Sequence, residues 1–222
     1  MPSQSIEDYI KAIWSLTDGK DRSQAVSTNA LAAQLSTSQA SVSEMFKRLA
    51  EKNFIEYIPY QGATLTNKGR KLALRLIRKH RLWEVFLHDT LGFGWEEVHD
   101  IAEQLEHINS PELIQRLDAF LGHPSVDPHG DLIPDANGYI PKQRAKRLID
   151  LVQGQDAEVV GVLDSHSGLL SLLSQKDISL GCSLMVKEIL PFDGSRIIEV
   201  KNRDQIELSQ KVCEQILIQE IQ

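Results

Sequence analysis

Residues 29–66 read NALAAQLSTSQASVSEMFKRLAEKNFIEYIPYQGATLT, and this stretch decides the fold of the N-terminal part of the chain. A short helical segment over residues 29–35 is followed by a turn and by a longer helix over residues 39–52, which Ser38 can cap. Two β-prone runs then flank PYQG at residues 59–62, a pattern typical of a hairpin. The stretch therefore predicts two helices joined by a tight turn and followed by a β-hairpin.

An amphipathic helix precedes this stretch, with Ile6, Ile10 and Ile13 on one face. Helix, helix, turn, helix and hairpin is the order of a winged helix-turn-helix, in which the helix after the turn enters the major groove of DNA. Winged helices also serve as protein-interaction modules, so the pattern alone leaves both functions open. Seven side chains on the predicted recognition helix and hairpin are placed for contact with phosphates or bases: Ser38, Gln39, Ser41, Ser43, Lys47, Tyr60 and Gln61.

The net charge of −7 is unevenly distributed along the chain. Residues 1–79 hold 12 Lys and Arg against 7 Asp and Glu, residues 80–140 hold 2 against 12, and residues 141–222 hold 10 against 12. A basic N-terminal part can neutralise phosphates. A strongly acidic middle part repels itself unless cations lie among its carboxylates, so this part predicts bound cations.

The composition is that of a globular protein with more than one domain: 222 residues, 41% hydrophobic and 25% charged. We find no apolar run of the ~18 residues that a membrane span needs, and no signal-peptide pattern at the N-terminus. The sequence therefore predicts a cytoplasmic protein without a membrane partner. Cys182 and Cys213 have no metal-ligand spacing and are predicted to be buried free thiols.

The middle and C-terminal parts predict two further domains. A long helix opens at Thr66, helices follow over residues 95–109 and 111–121, and residues 122–142 form a linker rich in Pro, Gly and Asp. Short β-prone runs interrupted by one helix then predict a small SH3-like (FeoA-like) β barrel. We expect a mainly α protein with a small β domain: residues 1–66 as the winged domain, 67–141 as a helical domain and 142–222 as the barrel.

The stretch VHDIAEQLEH at residues 98–107 carries the chemistry. On a helix its His and Glu side chains fall within a ~100° arc beside a core stripe. The preceding long helix adds His80 and Glu84, which are four residues apart and share one face. Any one of these residues alone is more often a solvated charge or a satisfied core residue, but the combination predicts a metal site. The candidate ligands are His80, Glu84, His99, Glu103, Glu106 and His107.

Imidazole and carboxylate ligands without a thiolate suit Mn(II) or Fe(II), and the hard oxygen ligands favour Mn(II). Zn(II), Co(II), Ni(II) or Cd(II) are expected to act as substitutes in vitro.

Six motifs make the chain resemble the iron- and manganese-dependent repressors of the diphtheria toxin repressor type over essentially its full length. They are EDYIKAIW at residues 7–14, SVSEM at 41–45, LTNKG at 65–69, HRLWEVFL at 80–87, EQLEH at 103–107 and DPHGDLIP at 127–134. The resemblance implies a homodimer formed through the middle helices and a metal ion that links those helices to the first helix of the winged domain.

The resemblance also implies how the ligands are grouped. Asp8, Glu103, Glu106 and His107 look like the site that controls DNA binding, while His80, Glu84 and His99 look like a neighbouring site. The SH3-like module can complete the neighbouring site through Asp164 or His166, and the linker can do so through Asp127 or His129.

Three positions separate this chain from particular members of the family. Glu103 stands where iron-type members have Cys and Asp8 where they have Met, which favours manganese. Lys11 stands where short manganese regulators have a Glu that bridges two metals, which favours two separated sites over a binuclear cluster.

We therefore expect a DNA-binding repressor rather than an enzyme, with Mn(II) or Fe(II) as co-repressor, a palindromic double-stranded operator, metal-uptake genes as targets and no small-molecule substrate. Two alternatives remain from the residues alone. One is a helical di-metal enzyme, since His and Glu on adjacent helices also bind di-iron centres, although such sites usually repeat Glu-x-x-His on two helices. The other is a metal-buffering interaction protein whose winged domain does not touch DNA.

Overall fold

The computed structural model describes residues 3–17, 24–141, 145–200 and 204–221. Residues 142–144, where the second and third predicted domains meet, lie outside this part. The chain divides into two compact units. The first comprises Met1–His80, Leu105–Asn109 and Pro134–Tyr139, and the second comprises Arg81–Gln104, Ser110–Ile133 and Ile140–Gln222.

The first unit contains the predicted winged helix-turn-helix. Its elements are α1 (Gln4–Thr17), α2 (Thr28–Gln34), α3 (Gln39–Glu51), β1 (Ile55–Ile58), β2 (Gly62–Leu65) and the first part of α4 (Asn67–Val85). Serine and threonine caps set the helix starts: Ser27 accepts from Ala30 N, Ser38 from Ser41 N and Thr66 from Gly69 N. The predicted helices, turn and hairpin are confirmed.

The core of this winged domain is formed by the apolar faces of the three helices. Five of its side chains are completely buried: Ile10, Ile13, Leu31, Phe46 and Leu49. The hairpin pairs Ile55 with Leu65 in an antiparallel register, and its tip presents Tyr60 completely to solvent.

Helices dominate the N-terminal part of the second unit. Helix α4 continues as a π-helical turn over Phe86–Thr90, followed by α5 (Val98–Leu105) and α6 (Pro111–Phe120), which Ser110 caps as expected. Helix α5 is shorter than the predicted helix over residues 95–109. It ends at Leu105, so Glu106 and His107 lie in the turn that follows and not on the helical stripe that their spacing suggested. The prediction that Glu106 and His107 share one face of a helix with His99 and Glu103 was wrong.

The C-terminal part of the second unit is a six-stranded antiparallel sheet of order β3-β8-β4-β5-β6-β7. Its core is apolar and includes both cysteines, which are buried and free as predicted. Strands β3 and β8 and helix α8 were not anticipated. The elements are β3 (Lys146–Arg147), β4 (Asp156–Val162), α7 (Ser167–Gln175), β5 (Ser183–Ile189), β6 (Arg196–Val200), β7 (Asp204–Leu208), α8 (Gln210–Cys213) and β8 (Ile216–Glu220).

Among the residues that the structure describes, no helix is both long enough and apolar enough to cross a membrane.

Candidate metal centres

Helix α1 contributes carboxylates to a group of polar residues in the first unit. The Nε2 atom of His107 lies 3.1 Å from Oδ1 of Asp8, and its Nδ1 atom lies 2.9 Å from Oε2 of Glu7. Because Glu7 is buried and its ionised carboxylate can only accept, it favours a proton on Nδ1 of His107. The other nitrogen, Nε2, faces the carboxylate of Asp8, so a metal ion bound there would take the place of a proton on this nitrogen.

Glu106 is the most deeply buried acid of this group, since none of its surface is exposed. Its Oε2 atom lies 2.6 Å from Nζ of Lys11 and 2.7 Å from Nδ1 of His80. Burial by itself raises the pKa of Glu106, but the His80 hydrogen bond and the Lys11 charge outweigh burial and lower the pKa below its ordinary value. The second oxygen, Oε1, has no hydrogen-bond partner among the described residues. We call Asp8, Glu106 and His107, which the sequence groups in one predicted metal site, the α1 site; that all three bind one ion stays a prediction.

Lys79 adds positive charge beside these acids. Burial lowers its pKa below the ordinary lysine value, while the charges of Glu7 and Glu106 oppose that shift. Glu7 and Glu106 therefore both lie near the ammonium of Lys79.

Three buried residues in the second unit form another group, which we call the buried centre: Glu84, Asp127 and His129. Each offers one ligand atom, and these atoms lie within 4.8 Å of one another. Nδ1 of His99, on α5, lies 3.3 Å from Oε1 of Glu84 and adds a fourth candidate ligand.

Negative charge is concentrated in the buried centre. The pKa of Asp127 is raised well above its ordinary value, first by burial and then by the charges of Glu84 and Asp131, while Arg81 acts in the opposite direction. Nε of Arg81 is 3.5 Å from Oδ2 of Asp127, but the same guanidinium also pairs with Asp131 at 3.0 Å. Glu84 and Asp127 are both buried, and the guanidinium of Arg81 beside Asp127 is also bonded to Asp131. This arrangement fits a site for a divalent cation.

The tautomer of His129 also fits a ligand role. Its Nε2 atom lies 2.7 Å from the backbone carbonyl oxygen of Trp95. Because a carbonyl only accepts hydrogen bonds, Nε2 carries the proton, and the lone pair is left on Nδ1, 3.7 Å from Oε1 of Glu84. The Trp95 indole in turn donates to Oγ of Ser174 on α7 at 2.7 Å. The orientation of His129 is thus fixed by a residue that is itself held by the C-terminal domain.

Comparison with known proteins identifies the three parts of the chain. Residues 1–63 match the N-terminal DNA binding domain of iron dependent repressors, residues 66–135 their metal binding and dimerisation domain, and residues 146–220 the FeoA domain. The HTH-type transcriptional regulator MntR of Oceanobacillus iheyensis is 35% identical over 117 residues, covering 53% of this chain and 77% of that protein. The chain belongs to the iron-dependent repressor family.

Solved structures similar to this iron-dependent repressor family member cover nearly all of it. A manganese-dependent transcriptional repressor in complex with manganese has a TM-score of 0.84 and 34% identity, covering 97% of this chain and 100% of that chain. The crystal structure of ScaR with bound Zn2+ has a TM-score of 0.75 and 31% identity, covering 99% of this chain and 100% of that chain.

The DNA-binding domain of this repressor family member presents the predicted contact residues on its surface. Gln39, Ser41 and Lys47 are exposed on α3, and Tyr60 and Gln61 are exposed at the tip of the hairpin. Two serines differ from this group. Ser38 is exposed but its hydroxyl caps α3, and Ser43 is only half-buried.

Three further predicted ligands, Glu103, Asp164 and His166, lie outside the two groups described above. Glu103 is half-buried on α5, with its Oε1 atom 3.7 Å from Nε2 of His99. Asp164 and His166 are exposed and engaged in local bonds: Asp164 accepts from His166 N, and His166 caps α7 by accepting from Gly168 N. The grouping of His80 with Glu84 and His99, and of Glu103 with Asp8, stays a prediction from the sequence.

Sequence reasoning about this repressor family member missed Glu7, Arg81 and Trp95 as parts of these sites. A signal existed for Glu7, because it precedes Ile10 by three residues and Trp14 by seven and therefore lies on the apolar face of α1. A carboxylate on an apolar helix face needs a polar partner, which here is His107. No comparable signal marked Trp95, whose contribution to His129 comes from its backbone carbonyl.

Proposed function

We propose that this chain is a metal-activated DNA-binding repressor that acts in the cytoplasm as a homodimer, with Mn(II) as its preferred co-repressor and metal-uptake genes as its targets. The observation that carries the proposal is the approach of Asp8, on the first helix of the DNA-binding domain, to within 3.1 Å of His107. Asp8, Glu106 and His107 would hold a divalent ion together, and Asp8 would thereby tie α1 to the segment that follows α5. The state of the metal is thereby coupled to the domain that carries α3 and the wing.

The donor atoms in both centres support a hard or borderline divalent ion. Asp8, Glu106 and His107 offer oxygen and nitrogen in the α1 site, and Glu84, Asp127 and His129 offer the same in the buried centre. When bound, a divalent ion supplies a compact double positive charge that several such atoms can share. Oxygen-rich sets without thiolate favour Mn(II), with Fe(II) as the alternative and Zn(II), Co(II), Ni(II) and Cd(II) as substitutes in vitro.

The residues of the chain do the remaining work. Glu7 orients His107 through Nδ1, and Asp8 holds α1 against the same ring. A fixed α1 restricts the position of α3, which packs in the same core, and so restricts the separation of the two recognition helices in a dimer. Only certain separations match half-sites that lie whole helical turns apart, which is why we expect a palindromic operator.

The DNA interface that we propose uses few residues capable of bidentate base contacts. Gln39 on α3 can pair with a base edge, whereas Lys47, Tyr60 and Gln61 are suited to phosphate and sugar contacts. Sequence-dependent DNA shape is therefore expected to contribute to specificity.

Dimerisation has a candidate surface in the second unit. Helix α6 leaves Leu113 and Phe120 exposed, with Phe120 67% exposed although its ring contacts Phe86. Large apolar side chains left in solvent on one helix are a common mark of an interface. The family match of residues 66–135 to a metal binding and dimerisation domain agrees with this assignment.

The two alternatives are weaker. The relatives of the chain are transcriptional regulators, so the chain is a regulator and not an enzyme. A metal buffer whose winged domain does not bind DNA remains distinguishable by experiment.

Fluorescence anisotropy with labelled fragments of the chain's own upstream region, in chelator and then in Mn(II), tests the proposal. We expect Mn(II) to tighten binding at least tenfold. The variant Asp8→Ala should remain a folded dimer and lose this response, because Asp8 is the ligand on the DNA-binding domain. Glu51→Ala removes an exposed carboxylate from α3 of the same domain and serves as the matched control. Equal affinity in chelator and Mn(II), or a normal response from Asp8→Ala, contradicts the mechanism.

A further inference from the structure

A lysine ammonium lies where the buried acid of the α1 site needs positive charge. Nζ of Lys11 is 2.6 Å from Oε2 of Glu106 and 3.1 Å from Nδ1 of His80. The two charged residues are 95 positions apart in the chain, so the fold brings them together and local helix spacing does not. The side chain of Lys11 is 15% exposed and that of Glu106 is not exposed at all.

A carboxylate that is wholly removed from water requires a partner of opposite charge, since an isolated buried charge is strongly unfavourable. In the structure Lys11 meets this requirement. His80 contributes a hydrogen bond to the same oxygen, Oε2. The other oxygen, Oε1, has no hydrogen-bond partner in the part of the chain that is described, so the bonding capacity of this carboxylate is not exhausted.

We propose that Lys11 is an internal counter-ion of Glu106 which a metal ion must displace, so that Lys11 sets the metal concentration to which the chain responds. The inference rests on the function proposed above, because it takes Glu106 to be a metal ligand. It adds a residue that binds no metal and no DNA but determines the affinity of the site.

Displacement is physically accessible to a lysine at this position. Its charge is a single ammonium on a flexible four-carbon stem, and it can swing towards solvent without any movement of the α1 backbone. A divalent ion and an ammonium beside one buried carboxylate repel each other, whereas the ammonium regains its hydration once it leaves. Because 15% of the Lys11 side chain is exposed, solvent already reaches part of it.

The substitution Lys11→Met follows directly, because methionine is unbranched and of similar length but carries no charge. In the metal-free state the variant leaves Glu106 without its counter-ion, and in the metal-bound state it removes a competing cation. Both effects favour the bound form. We therefore expect Mn(II) affinity at the α1 site to rise at least tenfold.

The experiment is a titration of the full chain with Mn(II), in which electron paramagnetic resonance reports the free ion. Wild type, Lys11→Met and Lys71→Met are compared; Lys71 is exposed on α4, so its variant makes the same chemical change without touching Glu106. The expected result is one class of sites that tightens in Lys11→Met only. The buried centre, built from Glu84, Asp127 and His129, should be unchanged in all three chains and acts as the internal reference.

A measurement on the wild type avoids dependence on the folding of the variant. Lysine acetylation followed by peptide mass spectrometry, with and without Mn(II), reports how accessible each ammonium is. Labelling of Lys11 should accelerate at least threefold when Mn(II) is bound, while that of Lys71 should not change. If Lys11→Met does not fold, the acetylation rate of Lys11 in the wild type tests the proposal by itself.

The outcomes separate the two proposals. A wild type that binds no Mn(II) removes the proposed function, and the role of Lys11 with it. A wild type that binds Mn(II), together with a Lys11→Met chain that binds no more tightly, overturns the role of Lys11 alone. Unchanged acetylation of Lys11 in the metal-bound wild type also overturns the role of Lys11 alone.

Discussion

The loop that carries Asp127 and His129 approaches strand β4 so closely that only glycine fits at position 130. A Cβ atom built on Gly130 would lie 2.1 Å from the carbonyl oxygen of Val160 and 2.4 Å from Cα of Gly161, and the residue has φ +87°. The contact is secured by a hydrogen bond from Val162 N to the carbonyl of His129 at 3.0 Å. Substitution of Gly130 by alanine therefore tests whether the buried centre depends on docking of this loop onto the C-terminal sheet.

Two costs add in Gly130→Ala. Placing an L-residue in the left-handed region costs about 1–2 kcal/mol, and forcing backbone atoms apart in a packed region costs about 1–3 kcal/mol more. The total loss in free energy of unfolding is about 2–5 kcal/mol. Gly154 separates the two effects, because its φ is +83° but no described atom lies within 4 Å of a Cβ built there. In Gly154→Ala the free energy of unfolding should fall only by the cost of the left-handed backbone conformation.

Urea denaturation of the metal-free chains measures both variants, and Mn(II) titration follows on each. We expect Gly130→Ala to be about 1–3 kcal/mol less stable than Gly154→Ala and to bind Mn(II) more weakly at the buried centre, while Gly154→Ala retains wild-type affinity. If the two variants are equally stable within about 0.5 kcal/mol, or if Gly130→Ala binds Mn(II) normally, the docked loop is not what positions Asp127 and His129.

Three further predictions concern single side chains. Glu7→Gln should weaken Mn(II) binding at the α1 site by about 10–100-fold, because the charge that orients His107 and strengthens it as a ligand is lost; Glu51→Gln is the control in the same calorimetric titration. Asp127→Asn should abolish Mn(II)-induced stabilisation at the buried centre and also change the pH dependence of the metal-free chain. The raised pKa of Asp127 means that the folded state holds a proton which the unfolded state has released, so wild-type stability falls as pH rises from the unfolded pKa through the folded one. Thermal melts at a series of pH values should show a smaller fall for Asp127→Asn, and an unaltered profile would show that the pKa of Asp127 is not raised in the folded state. Lys47→Ala should weaken DNA binding about equally on different sequences and reduce the slope of log affinity against log salt by about 1; an unchanged slope would remove Lys47 from the phosphate contacts.

The winged domain was predictable because its signals are local. Ser38 stands immediately before the apolar positions of α3 and does cap that helix, and β-prone runs on either side of residues 59–62 do pair as a hairpin. Each of these inferences needs only residues a few positions apart. Local propensity and tertiary structure agree there, as they do in most well-folded segments.

Local rules failed where α5 ends. The polar and apolar spacing of residues 95–109 suits one continuous helix, yet the helix stops at Leu105. The next residue, Glu106, bonds to Lys11 and His80, and His107 bonds to Glu7, 100 positions away. The spacing of polar and apolar residues along a helix cannot indicate partners that are so far away in the chain. The sequence therefore suffices to propose candidate ligands among residues 99–107, but not to predict the geometry that joins the last two to α1.

Lys11 shows why charge is harder to place than apolar surface. It follows Glu7 by four residues on α1, and this spacing favours a solvated ion pair along the helix. In the structure the ammonium bonds to Glu106, 95 positions away, and Glu7 bonds to His107. A fully buried Glu106 without a counter-ion would be strongly destabilising, so the Lys11–Glu106 pair matters more to the folded state than a solvated ion pair along a helix would. The tertiary fold alone determines which acid is buried, so no spacing rule could have assigned Lys11 its partner. For the same reason, the replacement of Lys11 by an incoming metal ion depends on the buried site and not on the spacing of residues along α1.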